Sequence, residues 1–270
     1  VHSVNAYQEV AYQSKQVIRG MCMEIHDRLI DMGAAYGRKG EAASKVLFDG
    51  EAMKFLADQM VTEAGVEVWL QSLVTDVIME DKTVKGVIVE NKSGRHLIEA
   101  DVFIDASGDA DVAYLAGAPY EKGREEDGRT MPMSLVFIMD NVSIGKTIEY
   151  LKRNPASAHM GAIETCEQLY KERKPFSLGG FPSEIQRAYE NGDFPLAMGA
   201  VNPVPLFIFT TMFRMNVGVA LSQTFHIVDM AYNLEPSNTQ DLTTAHIGAR
   251  KQVSIIVKFL NKYIPGVENA

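Results

Sequence analysis

Cysteine is nearly absent from this chain. Cys22 and Cys166 are the only two in 270 residues, far apart and in no CxxC pair. Such thiols make no disulfide framework, which suits a reducing compartment, and both are expected to be buried or half-buried. Neither builds a structural zinc or iron–sulfur site without several further ligands. Long apolar runs are missing too. The longest candidate, 201–213, contains two prolines and ends at Arg214, too short and broken to span a membrane. No secretory signal pattern is present, so a cytoplasmic location is expected. Basic charge is also in deficit: 26 Lys and Arg against 35 Asp and Glu give a net charge of −9. That balance repels a phosphate backbone and argues against nucleic acid as a partner.

The motifs of several enzyme classes are equally absent. No HExxH exists, and no two of His2, His26, His96, His159, His226 and His246 share a short ligand spacing on a helix. Ser107 and Ser134 lack a GxSxG context, which removes the usual hydrolase nucleophile. The glycines at 33, 37 and 40 have neither GxGxxG spacing nor the lysine-plus-hydroxyl ending of a P-loop. Glu121, Glu125 and Glu126 lie in a hydrophilic run that reads as a solvated face, a joint between layers or domains. His226 and Asp229 fall on opposite faces of an alternating strand and make no relay; His226 reads as a core or subunit-facing residue or as a substrate contact. Arg214 suits either an ion pair or an anionic ligand.

What is present is an ordinary globular composition, 46% apolar and 23% charged, long enough for a sizeable core. Helical spacing predicts an amphipathic helix over 14–32 ending at Gly33, and another over 51–63 capped by Asp49 and ended by Gly65. Strands are expected at 66–70 and 74–79. Turns at Asp81-Lys82 and Ser93-Gly94 then give a small meander with 84–90 and 96–98. The apolar run 102–105 reads as a buried central strand, parallel to 66–70. It runs into Ser107-Gly108-Asp109 and a helix over 110–116, with Asp109 as its expected cap and Gly117 as its stop.

Beyond Pro119, strands at 133–139, 206–213 and 223–232 are expected to pair in one sheet. Helices are expected at 144–153, 162–174 and 241–263, with an irregular stretch between Lys174 and the sheet. Gly108 permits close ligand approach or a positive φ. Read alone, the 102–117 segment is either a ligand-contacting turn or a plain crossover junction.

The blocks DASGDADVAYLAGAPYEKG, TMPMSLVF and DLTTAHIGARKQVSIIVKFLNKYIPGVENA stand here in one order. Together they resemble the FAD-dependent oxidoreductases of the heterodisulfide-reductase-subunit-A-like group. The resemblance implies an α/β fold with α+β tendency: a partial two-dinucleotide-binding-fold flavoprotein joined to a mixed-sheet substrate domain. Residues 1–119 would be a partial FAD-binding domain whose small meander covers about 66–105, and 120–270 the substrate domain. It implies that Ala106, Ser107 and Gly108 close over the dinucleotide part of FAD, with serine where threonine is usual. Val74 would lie beside the adenine through its backbone, although on its own it reads as a strand residue in a core.

The resemblance further implies an internal fragment, without the GxGxxG segment that precedes these blocks in relatives or the flavin segment that follows them. Redox chemistry would belong to the flavin, with a small-molecule substrate and a redox partner protein. Some relatives carry a 4Fe–4S cluster, whose cysteines would come from outside this chain. The competing expectation is a non-catalytic substrate-domain fragment that serves as a packing or homo-oligomerisation module.

Overall fold

In the computed structural model the described residues are 3–4, 8–9, 15–16, 20–35, 46–128, 130, 133, 135, 137–139, 141–157, 163–172, 177–178, 181–194, 211–217, 220–226 and 234–270. Along the chain come β1 (Ser3–Val4), β2 (Gln8–Glu9), β3 (Lys15–Gln16), α1 (Met21–Asp31), β4 (Val46–Leu47) and α2 (Gly50–Glu63). Next are β5 (Leu73–Glu80), β6 (Thr83–Asn91), β7 (Gly94–Glu99), α3 (Asp111–Leu115), β8 (Phe137–Ile138) and α4 (Ile144–Arg153). A single 3-10 turn, Pro155–Ser157, leads to α5 (Ile163–Lys171), β9 (Ser177–Leu178), α6 (Pro182–Glu190), β10 (Thr211–Val217), β11 (Ala220–His226) and α7 (Thr239–Tyr263). The fold is mixed α/β, in keeping with part of a flavin-dependent oxidoreductase. Contacts divide it into two compact units, Val61–Met131 with Glu235–Thr239, and the remainder.

The larger unit is held by a core of α4–α7. Ile148 and Leu151 of α4, Ile185 and Ala188 of α6, and Ile256, Phe259 and Leu260 of α7 are all buried in it. Their spacing of three and four residues puts each set on one helix face. Strands β8, β11, β10 and β9 form one antiparallel sheet in that order, with Phe137 opposite Phe225 and Met212 opposite Leu178. The three expected strands therefore do share a sheet over the described residues; 206–210 and 227–232 lie outside them.

Two differences from expectation fall in this unit. The first helix begins at Met21, because Gly20 sits at φ 68°, ψ −131°, a conformation through which a helix cannot propagate. Upstream, Lys15–Gln16 pair with Gln8–Glu9 instead. The second is α6, in a stretch read as irregular: Pro182 opens it, where proline's fixed φ and missing N–H suit the first turn. A satellite cluster of Leu29, Ala34, Phe48 and Leu56 joins α1 to α2. Asp49 caps α2 as expected, its Oδ1 accepting the amides of Glu51 at 2.8 Å and Ala52 at 3.0 Å. Gly65 ends that helix at φ 73°.

The smaller unit carries the three-stranded antiparallel meander β5-β6-β7, with Val74 opposite Val89 and Val89 opposite His96. Here one expectation fails. Residues 66–70 and 102–105 enter no ladder among the described residues. Val102 is 76% and Ile104 89% exposed, so this segment is not a buried central strand. A strand is defined by the neighbour that pairs with it, and no described segment forms a ladder with 102–105.

Candidate functional site

The loop that follows 102–105 is organised by the carboxylate of Asp105. Its Oδ1 accepts the amide hydrogen of Ser107 at 3.0 Å, an Asx turn, and its Oδ2 accepts that of Ala113 at 2.9 Å. Ser107 Oγ accepts the amide of Asp111 at 2.8 Å. The bond from Ala113, then those from Ser107, hold the Asp105 carboxyl below the usual aspartate range. Asp109, the expected cap, makes no side-chain capping bond; the helix begins after Ala110, in the left-handed region at φ 59°. Asp105 and Ser107 take the capping role. The DAS spacing carried that signal, and a second aspartate nearer the helix obscured it.

Gly108 lies at φ 95°, as its place in the turn predicts, and a side-chain carbon there would meet nothing within 4 Å. Helix α3 ends at Gly117, φ 70°, where the Gly117 amide donates to Tyr114 O and the Ala118 amide to Ala113 O, both at 3.0 Å.

The structure thus gathers Ala106, Ser107 and Gly108 into one exposed turn. Val74 stands apart from it, half-buried on β5, the strand against which α3 packs. A cavity of about 580 Å³ opens between the β5–β6 turn and α3, with walls from Met79, Val84, Phe103, Val112 and Ala116 and with Asp105 at its edge. None of Val74, Ala106, Ser107 and Gly108 lines it.

The remaining candidates are dispersed. Glu121, Glu125 and Glu126 are exposed. Arg214 is paired through the backbone with Gln223, and His226 with Thr211; Ser134 and Asp229 lie outside the described residues. Cys22 is half-buried and Cys166 buried, and burial pushes the Cys166 thiol up. No cluster of three or more His, Cys, Asp or Glu suited to a metal ion occurs among the described residues. Nor is any helix among them long and apolar enough to cross a membrane.

As a cofactor site, the exposed turn fits a backbone contact. The turn is built of small residues with open space beside Gly108, while Ser107 Oγ and the Asp105 carboxylate hold its shape from within. No curated protein and no solved structure compared with the chain gives a match. The family model for FAD dependent oxidoreductase matches residues 2–270, nearly the whole sequence, and the chain belongs to that family.

Proposed function

We propose that the chain supplies accessory flavin contacts and a substrate domain to an FAD-dependent oxidoreductase of the heterodisulfide-reductase-subunit-A-like group. The observation that carries this reading is the exposed Ala106–Ser107–Gly108 turn, with open space above Gly108, in a chain of this family. Ala106, Ser107 and Gly108 would approach the dinucleotide part of FAD, and the Val74 backbone its adenine. When bound, the flavin supplies the electron transfer, with hydride transfer to or from a small-molecule substrate as the half-reaction. This chain's residues bind and orient. A redox partner protein would exchange the electrons, and any 4Fe–4S cluster would draw its cysteines from outside Cys22 and Cys166. A cytoplasmic setting accords with a chain whose two cysteines lie far apart in sequence and in no CxxC pair.

The chain alone is expected to hold FAD weakly. Tight dinucleotide binding places the pyrophosphate at a glycine-rich turn and helix N-terminus, and no GxGxxG occurs in residues 1–270. Several charge-assisted hydrogen bonds of about 1.5–3 kcal/mol each would be missing, enough to lower affinity by several orders of magnitude. Titrating the purified chain with FAD while following flavin fluorescence tests this. Weak binding that Gly108→Val weakens further supports the reading. Saturable one-to-one binding at micromolar affinity or tighter would contradict it. A packing or oligomerisation module is the second reading, favoured by the exposure of Val102 and Ile104. Sedimentation of the same sample separates the two: self-association that Val102→Thr with Ile104→Thr abolishes favours the module.

A further inference from the structure

Asparagine is followed by glycine at one place in the sequence, Asn191-Gly192. This dipeptide is chemically fragile. The Gly192 backbone nitrogen, unhindered by a side chain, attacks the Asn191 side-chain carbonyl carbon Cγ. As the N–Cγ bond forms, the Cγ–Nδ2 bond breaks and ammonia leaves. Water then opens the cyclic imide to aspartate or isoaspartate. No oxidant or metal is needed, only water, and both residues are exposed.

The fold holds both reacting groups elsewhere. Asn191 closes α6 at ψ −3°, and its amide donates to Arg187 O at 3.1 Å. The Gly192 amide donates to Tyr189 O at 2.9 Å, with Gly192 itself at φ 75°. Asn191 Nδ2 donates to Tyr263 Oη at 2.9 Å. Cyclisation has to break the last two bonds and turn the side chain back onto the main chain. The product would also be poorly received. The Tyr263 hydroxyl hydrogen is committed to Asp193 Oδ2, at 2.6 Å, and the same oxygen accepts from Lys262 Nζ at 2.5 Å. A carboxylate at position 191 would face the phenol oxygen with no hydrogen to share and would add a second negative charge beside Asp193. Tyr263 is a core residue of α7, stacked on Phe259 and covered by the Arg187 guanidinium, so the disturbance falls where α6 meets α7.

We infer that Asn191 is a site of spontaneous deamidation, that its contact with Tyr263 protects the amide in the native state, and that conversion to aspartate or isoaspartate loosens α6 from α7. The inference is independent of any flavin. The test ages the full chain at mildly alkaline pH, in native buffer and in concentrated urea, and quantifies aspartate and isoaspartate at position 191 by peptide mapping. Native conversion is expected to be at least about tenfold slower, as for a reaction gated by local opening. Equal rates in the two conditions would overturn the protection. A partly converted native sample is then given a brief protease pulse. The modified form is expected to be enriched in chains cut at the α6–α7 region, and an equal share in cut and uncut chains would overturn the loosening. Neither arm needs a variant that folds.

Discussion

The Asp105 carboxylate accepts the amide hydrogen of Ala113 at 2.9 Å, eight residues further along the chain. One side chain thereby fixes both ends of the turn that contains Ala106, Ser107 and Gly108. Asp105→Asn keeps the shape but loses the charge, and Asp105→Ala loses both oxygens. Amide hydrogen exchange at Ser107 and Ala113 is expected to quicken in the order wild type, Asn, Ala. Because the folded carboxyl lies below its ordinary value, its contribution is complete above the unfolded-state pKa and is lost as pH falls through the folded one. Exchange at those two amides, corrected for intrinsic rates, should therefore speed up on acidification in wild type and not in Asp105→Ala. Identical profiles in the two proteins would rule the anchor out.

Gly266 is where the chain after α7 closes onto the start of α4. Its carbonyl accepts the amide of Ser143 at 2.6 Å, and Thr147 Oγ1 donates to Pro265 O at 2.9 Å. A side-chain carbon at Gly266 would press on Ser143 O and come within 2.7 Å of Thr147 Oγ1, at a φ of 98° that side chains rarely adopt. Overlap and strain together predict that Gly266→Ala lowers stability by roughly 2–4 kcal/mol, read from urea unfolding. A loss below about 0.5 kcal/mol, the range of an inert surface change, would show that the closure yields.

What the sequence made legible is what local chemistry decides. Asp49 caps α2 because a cap needs only its own next three residues. The meander follows from turn residues at 81–82 and, one residue before the expected Ser93-Gly94, at 92–93, and α7 from its apolar spacing and the Pro265-Gly266 stop. The failures need distant information. An apolar run such as 102–105 signals burial, but the neighbour that would pair with it is not written in the run. Pro182 resembles a break until the chain beyond it is seen to bury Ile185 and Ala188. Between Asp105 and Asp109 composition cannot choose the cap; the left-handed turn at Ala110 brings Ala113 back within reach of Asp105.

Glu167 on α5 is shared by two lysines, Lys152 of α4 at 2.7 Å and Lys171 at 2.8 Å. Their hydrogen bonds, Lys152 first, hold its carboxyl down to about 2. The sign follows from that depression: the pair stabilises the α4–α5 contact above the ordinary glutamate range and ceases to as pH falls toward about 2. Acid unfolding of wild type should therefore be steeper between these limits than that of Glu167→Gln. Added salt should narrow the difference, since all three groups are reached by solvent. Superimposable acid limbs would remove Glu167 from the account.

Glu184 lies in the first turn of α6, only 2% exposed. Tyr150 Oη donates to its Oε1, and so does Ser157 Oγ at 2.8 Å, tying α6 to α4 and to the 3-10 turn between α4 and α5. Burial first, and then the bond and charge of Glu184, push the Tyr150 phenol up. Removing the carboxylate strands two hydroxyls, of which Ser157 is also 2% exposed. Glu184→Ala is expected to cost about 3–5 kcal/mol, as breaking a buried polar cluster does. Tyr150→Phe, which leaves Ser157 as a donor, is expected to cost about 1–3 kcal/mol. If the two groups act through their shared bond, a double-mutant cycle returns a coupling of at least about 0.5 kcal/mol. Absorbance titration offers a reading that packing alone would not move. Tyr150 should ionise late in wild type and earlier in Glu184→Gln, because the negative charge that opposed its ionisation is gone. An unchanged titration together with zero coupling would mean that α4 and α6 are held by their apolar faces, with the hydroxyl–carboxylate bond incidental.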